Sequence, residues 1–405
     1  MKRLMFGVAS WILRRTIDNS QNTHRSRPDA PPYGQRGPFG VGTHEVTIPH
    51  RTRPLKLAMW YPACLGDQPA LTTYEDGPIK FYGQALRDAP PDPHQAPYPL
   101  VLFSHGSSGT RYQSLFLTEH LASHGFVVMA VDHPGNTAFD AYLSSDRYEE
   151  LRIQNYVQRP DDLLRQLAFA EELSAPTGAW PGLIDLERVA VSGHSFGGYS
   201  ALALAGARLN FDSLRQWCET PSTAAIEAKA MGSVCYLRHH VEVFAELRGL
   251  ETIPEGLWPP TSDPRIKALL VMAPWNAPIF GQAGLAEVTI PSLVMVGGAD
   301  RVTLPERDAL RIYDYLGSPS KTLAVFENGG HFLFVDECSA LTRQLNLFWT
   351  CSDDVWDMTR AHDLTNHLAT AFLLSKLYQD AHAAQALQPR AVDFRGIQYK
   401  TTDFN

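Results

Sequence analysis

A chain of 405 residues with 44% hydrophobic and 19% charged side chains can bury a sizeable core, as one large domain with insertions or as two domains. Its formal net charge of −8 argues against a nucleic-acid polyanion as partner. The apolar run Leu4–Leu13 is too short for a bilayer span, which needs about 20 residues, so no integral membrane segment is expected. Lys2 and Arg3 before that run fit an export leader. Arg14 and Arg15 after it, with no small-x-small cleavage site nearby, fit a short amphipathic helix equally well. Five cysteines leave two readings open. Either Cys218/Cys235 and Cys338/Cys351 each close a short loop in an oxidising compartment, or all five are free thiols in a cytosolic enzyme. No cysteine pair has zinc-ligand spacing with histidine, and no metal is expected.

Residues 1–43 are expected to form a largely irregular N-terminal extension, since Asp18–Thr43 is polar and rich in Pro, Gly and Arg. His44–His50 and Leu55–Tyr61 alternate polar and apolar residues and predict an antiparallel pair of strands at a sheet edge. Cys64–Pro99 reads as a long surface insertion. Leu100–Phe103 and Phe126–Val131 are continuous apolar strands, separated by a helix over Tyr112–His124 that Gly125 ends. Pro160, followed by Asp161 and Asp162, predicts a helix start, with the helix running through Leu173. Further apolar runs fall at Arg188–Val191, Ile266–Met272, Leu293–Val296 and Leu323–Phe326, with a helix from about Pro305 to Leu316. Alternating strands and helices imply a mostly parallel sheet of about eight strands with helices on both faces. Residues 207–264 fit no strand–helix unit and are read as a helical cap inserted above the strands' carboxyl ends. One or two helices over Asp353–Leu387 and an extended strip, Val392–Asn405, complete the chain.

The motif that organises this pattern is Gly193-His194-Ser195-Phe196-Gly197, set between a buried strand and an Ala-rich helix. There the serine lies on a sharp turn that lifts its hydroxyl above the sheet, and glycines either side let strand and helix nearly touch. Ser195 is the candidate nucleophile. A nucleophilic serine needs a base, and the base needs a group that fixes its tautomer. The expected chain order is Ser, acid, His, which selects Asp300, in the turn after an apolar strand, and His331, in the Gly-opened loop after the last one. Asp336 follows His331 and has the wrong order, and Glu327 lies too close to it in the chain. Backbone N–H groups of Phe196 and Ser107 are the candidate oxyanion donors. His133 and Trp275, each near a strand's carboxyl end, are candidates for the substrate pocket. His105 and His194 are expected to pack beneath the site.

These residues resemble a known group. The Gly-His-Ser-Phe-Gly-Gly elbow, the Phe103–Gly109 loop and Val131–Asn136 are similar to the serine α/β-hydrolases, and more narrowly to the predicted dienelactone hydrolases of bacteria and the plasma-type platelet-activating-factor acetylhydrolases. Trp356–Leu364 is also similar to the bacterial group. The resemblance implies an α/β-hydrolase domain over 44–405, with the cap insertion at about 207–264. It implies hydrolysis of a small acyl, phthalate-like or polyester-type ester through an acyl-Ser195 intermediate, with no cofactor and a small-molecule ester as partner. An amidase, a peptidase or a thioesterase with the same three residues is the alternative, and a non-catalytic binding protein on this fold is the alternative of another class. Two departures stand out. True dienelactone hydrolases carry a Cys nucleophile where this chain has Ser195. The acetylhydrolases place their acid after the strand that here ends Met272-Ala273-Pro274-Trp275, so the acid is shifted to Asp300. The resemblance also implies that the two cysteine pairs are bridged, and tilts the expected location towards export.

Overall fold

The computed structural model describes residues 26–66, 72–76, 79–143 and 147–404. The apolar run Leu4–Leu13 lies outside the described residues. Ten strands form one sheet: β1 (Gly40–Ile48), β2 (Leu55–Ala63), β5 (Leu86–Arg87), β6 (Tyr98–Ser104), β7 (Val127–Val131), β8 (Ile184–His194), β9 (Ile266–Met272), β10 (Ser292–Gly297), β11 (Lys321–Phe326) and β12 (Ile397–Thr401). Their spatial order is β12-β11-β10-β9-β8-β6-β7-β2-β1-β5. The six central strands, β6 to β11, are parallel, while β2 is antiparallel to β7 and β12 to β11. The expected antiparallel edge pair is β1 and β2, with the two-residue β5 beyond it. The Cys64–Pro99 connection holds the hairpin β3 (Thr72–Asp76) and β4 (Ile79–Gly83).

Along each parallel strand, successive side chains enter different cores. Leu100, Leu102, Val189, Val191 and Val271 belong to one apolar cluster; Val101, Phe103, Ala190, Leu270 and Met272 belong to the other. The second face is covered by α1 (Leu115–Ser123) and by a long tail helix, Met358–Leu377. After the short α2 (Ala138–Leu143) the first face is covered by α3 (Tyr148–Ser174) and α4 (Phe196–Leu204).

The expected helix start at Pro160 is corrected: Pro160 lies inside α3. Proline removes the N–H that would bind the carbonyl four residues back, that of Tyr156. Tyr199 Oη on α4 donates to this carbonyl instead, at 3.0 Å. The helix therefore continues through a residue whose local chemistry signals an end.

Residues 207–264 contain α5 (Phe211–Glu219), α6 (Pro221–Glu227) and α7 (Val241–Leu247). Phe211, Leu214, Val234, Leu237, Phe244 and Trp258 are buried in the same cluster as the sheet face, so the insertion extends the domain's own core. Then come α8 (Ala277–Ala286), α9 (Ala309–Tyr315), α10 (Ala340–Gln344), α11 (Met358–Leu377, the tail helix above) and α12 (Ala381–Ala386). Residues 26–39 have little regular structure but dock on α11, where Arg27 N–H donates to Asp363 Oδ2 and Tyr33 N–H to His367 Nδ1. Disulfides join Cys218 to Cys235 and Cys338 to Cys351, and Cys64 is free and exposed. No helix among the described residues is long and apolar enough to cross a membrane.

Candidate active site

From β6 the chain moves to β7 on one side, and from β8 it moves to β9 on the other. Strand order therefore reverses between β6 and β8, which opens a crevice at their carboxyl ends. The loop 105–109 leaves β6 at this crevice, and Ser195 follows the last residue of β8.

Ser195 has φ 56° and ψ −119°, a left-handed conformation rare for a residue with a Cβ. Its surroundings hold it there. Ser195 N–H donates to Met272 O at 3.0 Å, and its own carbonyl accepts from Gly198 N–H at 2.9 Å and Trp275 N–H at 3.1 Å. A Cβ on Gly193 would overlap the Gly197 carbonyl, and one on Gly197 would overlap that of Ser104. Both glycines are needed for close approach.

His331 and Asp300 meet across 31 residues of chain: His331 Nδ1 lies 2.7 Å from Asp300 Oδ2. The carboxylate accepts further bonds from Val302 N–H at 2.8 Å, Thr303 N–H at 2.9 Å and Thr303 Oγ1 at 2.7 Å. Burial alone raises the Asp300 carboxyl, but the His331 imidazole and the Thr303 donors outweigh it and hold it below the usual carboxylate range. An anionic Asp300 fixes the His331 proton on Nδ1 and leaves Nε2 as the acceptor.

His194 lies behind this pair, its ring centroid 4.7 Å from that of His331. Its Nε2–H donates to the His331 carbonyl at 3.0 Å, and Nδ1 accepts from Gln113 Nε2 at 3.1 Å. Burial, then the neighbouring His331, push its pKa down to about 3, so it is a neutral support. His105 plays the same part under the β6 loop, with Nδ1–H donating to Gly106 O at 2.7 Å and Nε2 accepting from His133 N–H at 3.1 Å.

The loop 105–109 has most of its donors engaged: Gly106 N–H by Gln113 Oε1, Ser108 N–H by Asn136 O and Gly109 N–H by Gly106 O. Ser107 stands exposed between them, with Asn136 Nδ2 donating to its Oγ at 3.3 Å. A Cβ on Gly106 would lie 3.3 Å from that of Ser195, so the loop passes against the elbow. Phe196 is buried at the first position of α4.

The expectation that His133 lines the pocket is corrected. It is 0% exposed, with Nδ1 2.9 Å from Asp162 Oδ2 and Nε2 2.9 Å from Ser104 Oγ. Burial and the nearby Arg159 and Arg53 guanidinium groups hold its pKa well below the usual value. Its neutral ring braces β6 against α3. Trp275 is half-buried beside Ser195, its ring held by Tyr156 Oη at 2.5 Å and by the Arg307 guanidinium 4.7 Å from the ring centroid. Glu327 is exposed and accepts from Gln398 Nε2 at 2.9 Å, while Asp336 accepts from Leu115 and Phe116 N–H groups and caps α1.

Three supporting residues escaped sequence reasoning. Thr303 carries the short-range signal that could have found it, since a carboxylate with donors two and three residues on is an Asx-type turn. Gln113, which joins Gly106 to His194, carries no such local signal. Nor does buried Arg159, which donates to Ser104 Oγ, Asn136 Oδ1 and the His105 carbonyl and lies over the Phe196 ring. A second cluster, Cys64, Asp92 and His94, has ligand atoms within 4.8 Å of one another, but it follows β2 at the opposite edge of the sheet.

Strand order, elbow and loop placement define an α/β fold with the positive-φ Ser195 turn at its switch point. The profile of the alpha/beta hydrolase family matches residues 101–344, and the chain belongs to that family. It is also similar to individual proteins. Cutinase est2 of Thermobifida alba is 36% identical over 113 residues, 27% of this chain and 31% of the cutinase. Platelet-activating factor acetylhydrolase of Cavia porcellus is 24% identical over 218 residues, 41% of this chain and 50% of the relative. Chlorophyllase type 0 of Chenopodium album is 32% identical over 118 residues, 29% of this chain and 30% of the relative. The matched segments thus span between 30% and 50% of the length of these curated relatives.

Proposed function

We propose that the protein is a serine-dependent carboxylic ester hydrolase. The observation that carries this reading is the buried 2.7 Å pairing of His331 with Asp300 at the sheet edge that bears the strained Ser195. His331 Nε2 takes the hydroxyl proton as Ser195 Oγ attacks the ester carbonyl. The carbonyl oxygen becomes anionic between the Phe196 and Ser107 N–H groups, each contributing about 3–4 kcal/mol to the lowering of the barrier. Collapse of this intermediate breaks the ester bond, and His331 returns the proton to the leaving alkoxide. Water, activated by the same imidazole, then releases the acid from acyl-Ser195.

The partial relatives support an ester over other acyl compounds, since a cutinase and an acetylhydrolase are carboxylic ester hydrolases. Half-buried Trp275, whose backbone N–H donates to the Ser195 carbonyl, is the side chain we assign to an apolar wall of the acyl pocket, which would suit short acyl, phthalate-like or polyester-type substrates. The two disulfides support an oxidising compartment, and with it export. Ser195→Ala is expected to abolish turnover of p-nitrophenyl butyrate and labelling by a fluorophosphonate, with an unchanged circular dichroism spectrum. Full activity in that variant overturns the reading.

A further inference from the structure

We propose that the rim of this site is an adsorption surface for an uncharged, water-insoluble ester presented as a solid phase. The inference rests on the ester-hydrolase reading and adds the physical state of the substrate. Large apolar side chains scattered singly over a surface are ordinary, whereas several exposed around one site mark a contact surface. Here Met231 is 70% exposed, Trp349 60% and Phe139 53%.

They belong to three separate segments, each tied to a different loop of the site. The helix of Phe139 is fixed to the oxyanion loop by Ala138 N–H donating to Gly109 O and Ser108 N–H to Asn136 O. Met231 N–H donates to Arg301 O at 2.9 Å, one residue from Asp300. The next carbonyl, that of Gly232, accepts from the same Arg307 that lies over Trp275. Trp349 meets Phe332 edge to face at 5.6 Å, and Phe332 meets the His331 ring at 5.1 Å. A continuous aromatic path therefore leads from the candidate base to the surface.

The segment carrying Trp349 is anchored. The Cys338–Cys351 disulfide closes it, and Asp353 Oδ2 just beyond accepts from Gly330 N–H at 2.7 Å, next to His331. An anchored aromatic loses little conformational entropy on adsorption, which favours display to a partner. Charge selects the partner. The chain carries a net −8, and residues 339–356 hold Arg343 against Asp353 and Asp354, with no basic cluster to attract an acidic membrane. An uncharged apolar phase fits better.

The test separates adsorption from turnover. Ser195→Ala protein is mixed with polycaprolactone particles or with phosphatidylcholine vesicles, and the bound fraction is measured by sedimentation. The same protein carrying Phe139→Ser, Met231→Ser and Trp349→Ser is compared. Binding to the particles is expected, with about a tenfold or greater loss in the triple variant. In the Ser195 background the triple variant is expected to retain hydrolysis of soluble p-nitrophenyl acetate within about twofold. That retention also reports folding, and Trp349→Ser alone should show a smaller loss of the same sign. Unchanged adsorption in the triple variant, or binding to vesicles and not to particles, overturns the proposal. Failure to hydrolyse p-nitrophenyl acetate at all would instead overturn the ester-hydrolase reading, because adsorption is measured without turnover.

Discussion

At residue scale, the pairing of His331 Nδ1 with Asp300 decides which ring nitrogen carries the proton. Asp300→Asn offers that nitrogen an amide and permits the wrong tautomer, so kcat for p-nitrophenyl butyrate should fall about ten-thousandfold. Glu327→Gln should leave kcat near wild type, since Glu327 faces solvent and Gln398. A larger loss from Glu327→Gln would reassign the acid. His194 offers a test through stability. Its folded pKa of about 3 lies below the ordinary value of 6.5, so below pH 6.5 the unfolded chain takes up a proton that the folded one refuses. The stabilisation from neutral His194 is complete above pH 6.5 and is lost as pH falls towards 3. In urea titrations, the cost of His194→Asn should therefore be about 2 kcal/mol smaller at pH 5 than at pH 7. A cost that does not change with pH would show that His194 titrates alike in both states. The Ser195 turn and the pairing of Asp300 with His331 were legible in sequence because each of these residues follows an apolar strand in a loop punctuated by glycine. Gln113 and Arg159 were not, because only tertiary approach brings them to Gly106, His194 and His105.

At the scale of elements, proline chemistry misleads where another helix supplies the missing partner. α3 continues through Pro160 because the Tyr156 carbonyl accepts from Tyr199 on α4. Tyr199→Phe removes that donor and leaves a buried carbonyl unsatisfied, at a cost of about 1–3 kcal/mol. Pro160→Ala restores a backbone N–H in register with the same carbonyl. In a double-mutant cycle followed by urea unfolding, Tyr199→Phe should therefore cost less in the Pro160→Ala background. Equal costs would show that the hydroxyl does not stand in for the helical bond. The short β5 and the β3–β4 hairpin were hidden for a different reason. Two to five residues are too few to show a period, so the Cys64–Pro99 connection reads as loop.

At the scale of the whole molecule, two apolar layers sandwich the sheet, and the two disulfides lie in segments outside its strands. The alternation of buried strands and helices made the layered architecture readable, whereas the insertion's part in the core was not, because residues 207–264 show no periodic match to the sheet they cover. Both bridges staple such segments. Cys218–Cys235 spans 17 residues and Cys338–Cys351 spans 13. Closing a loop of this size restricts the unfolded chain by about 3 kcal/mol in the chain-entropy account. Cys218→Ser with Cys235→Ser, and Cys338→Ser with Cys351→Ser, should each lower the urea midpoint without changing the native circular dichroism spectrum. Dithiothreitol should lower the midpoint of the wild type and leave that of the four-serine protein unmoved. A wild-type midpoint that dithiothreitol does not shift would show that the layered core holds these segments unaided, and would remove the redox argument for export.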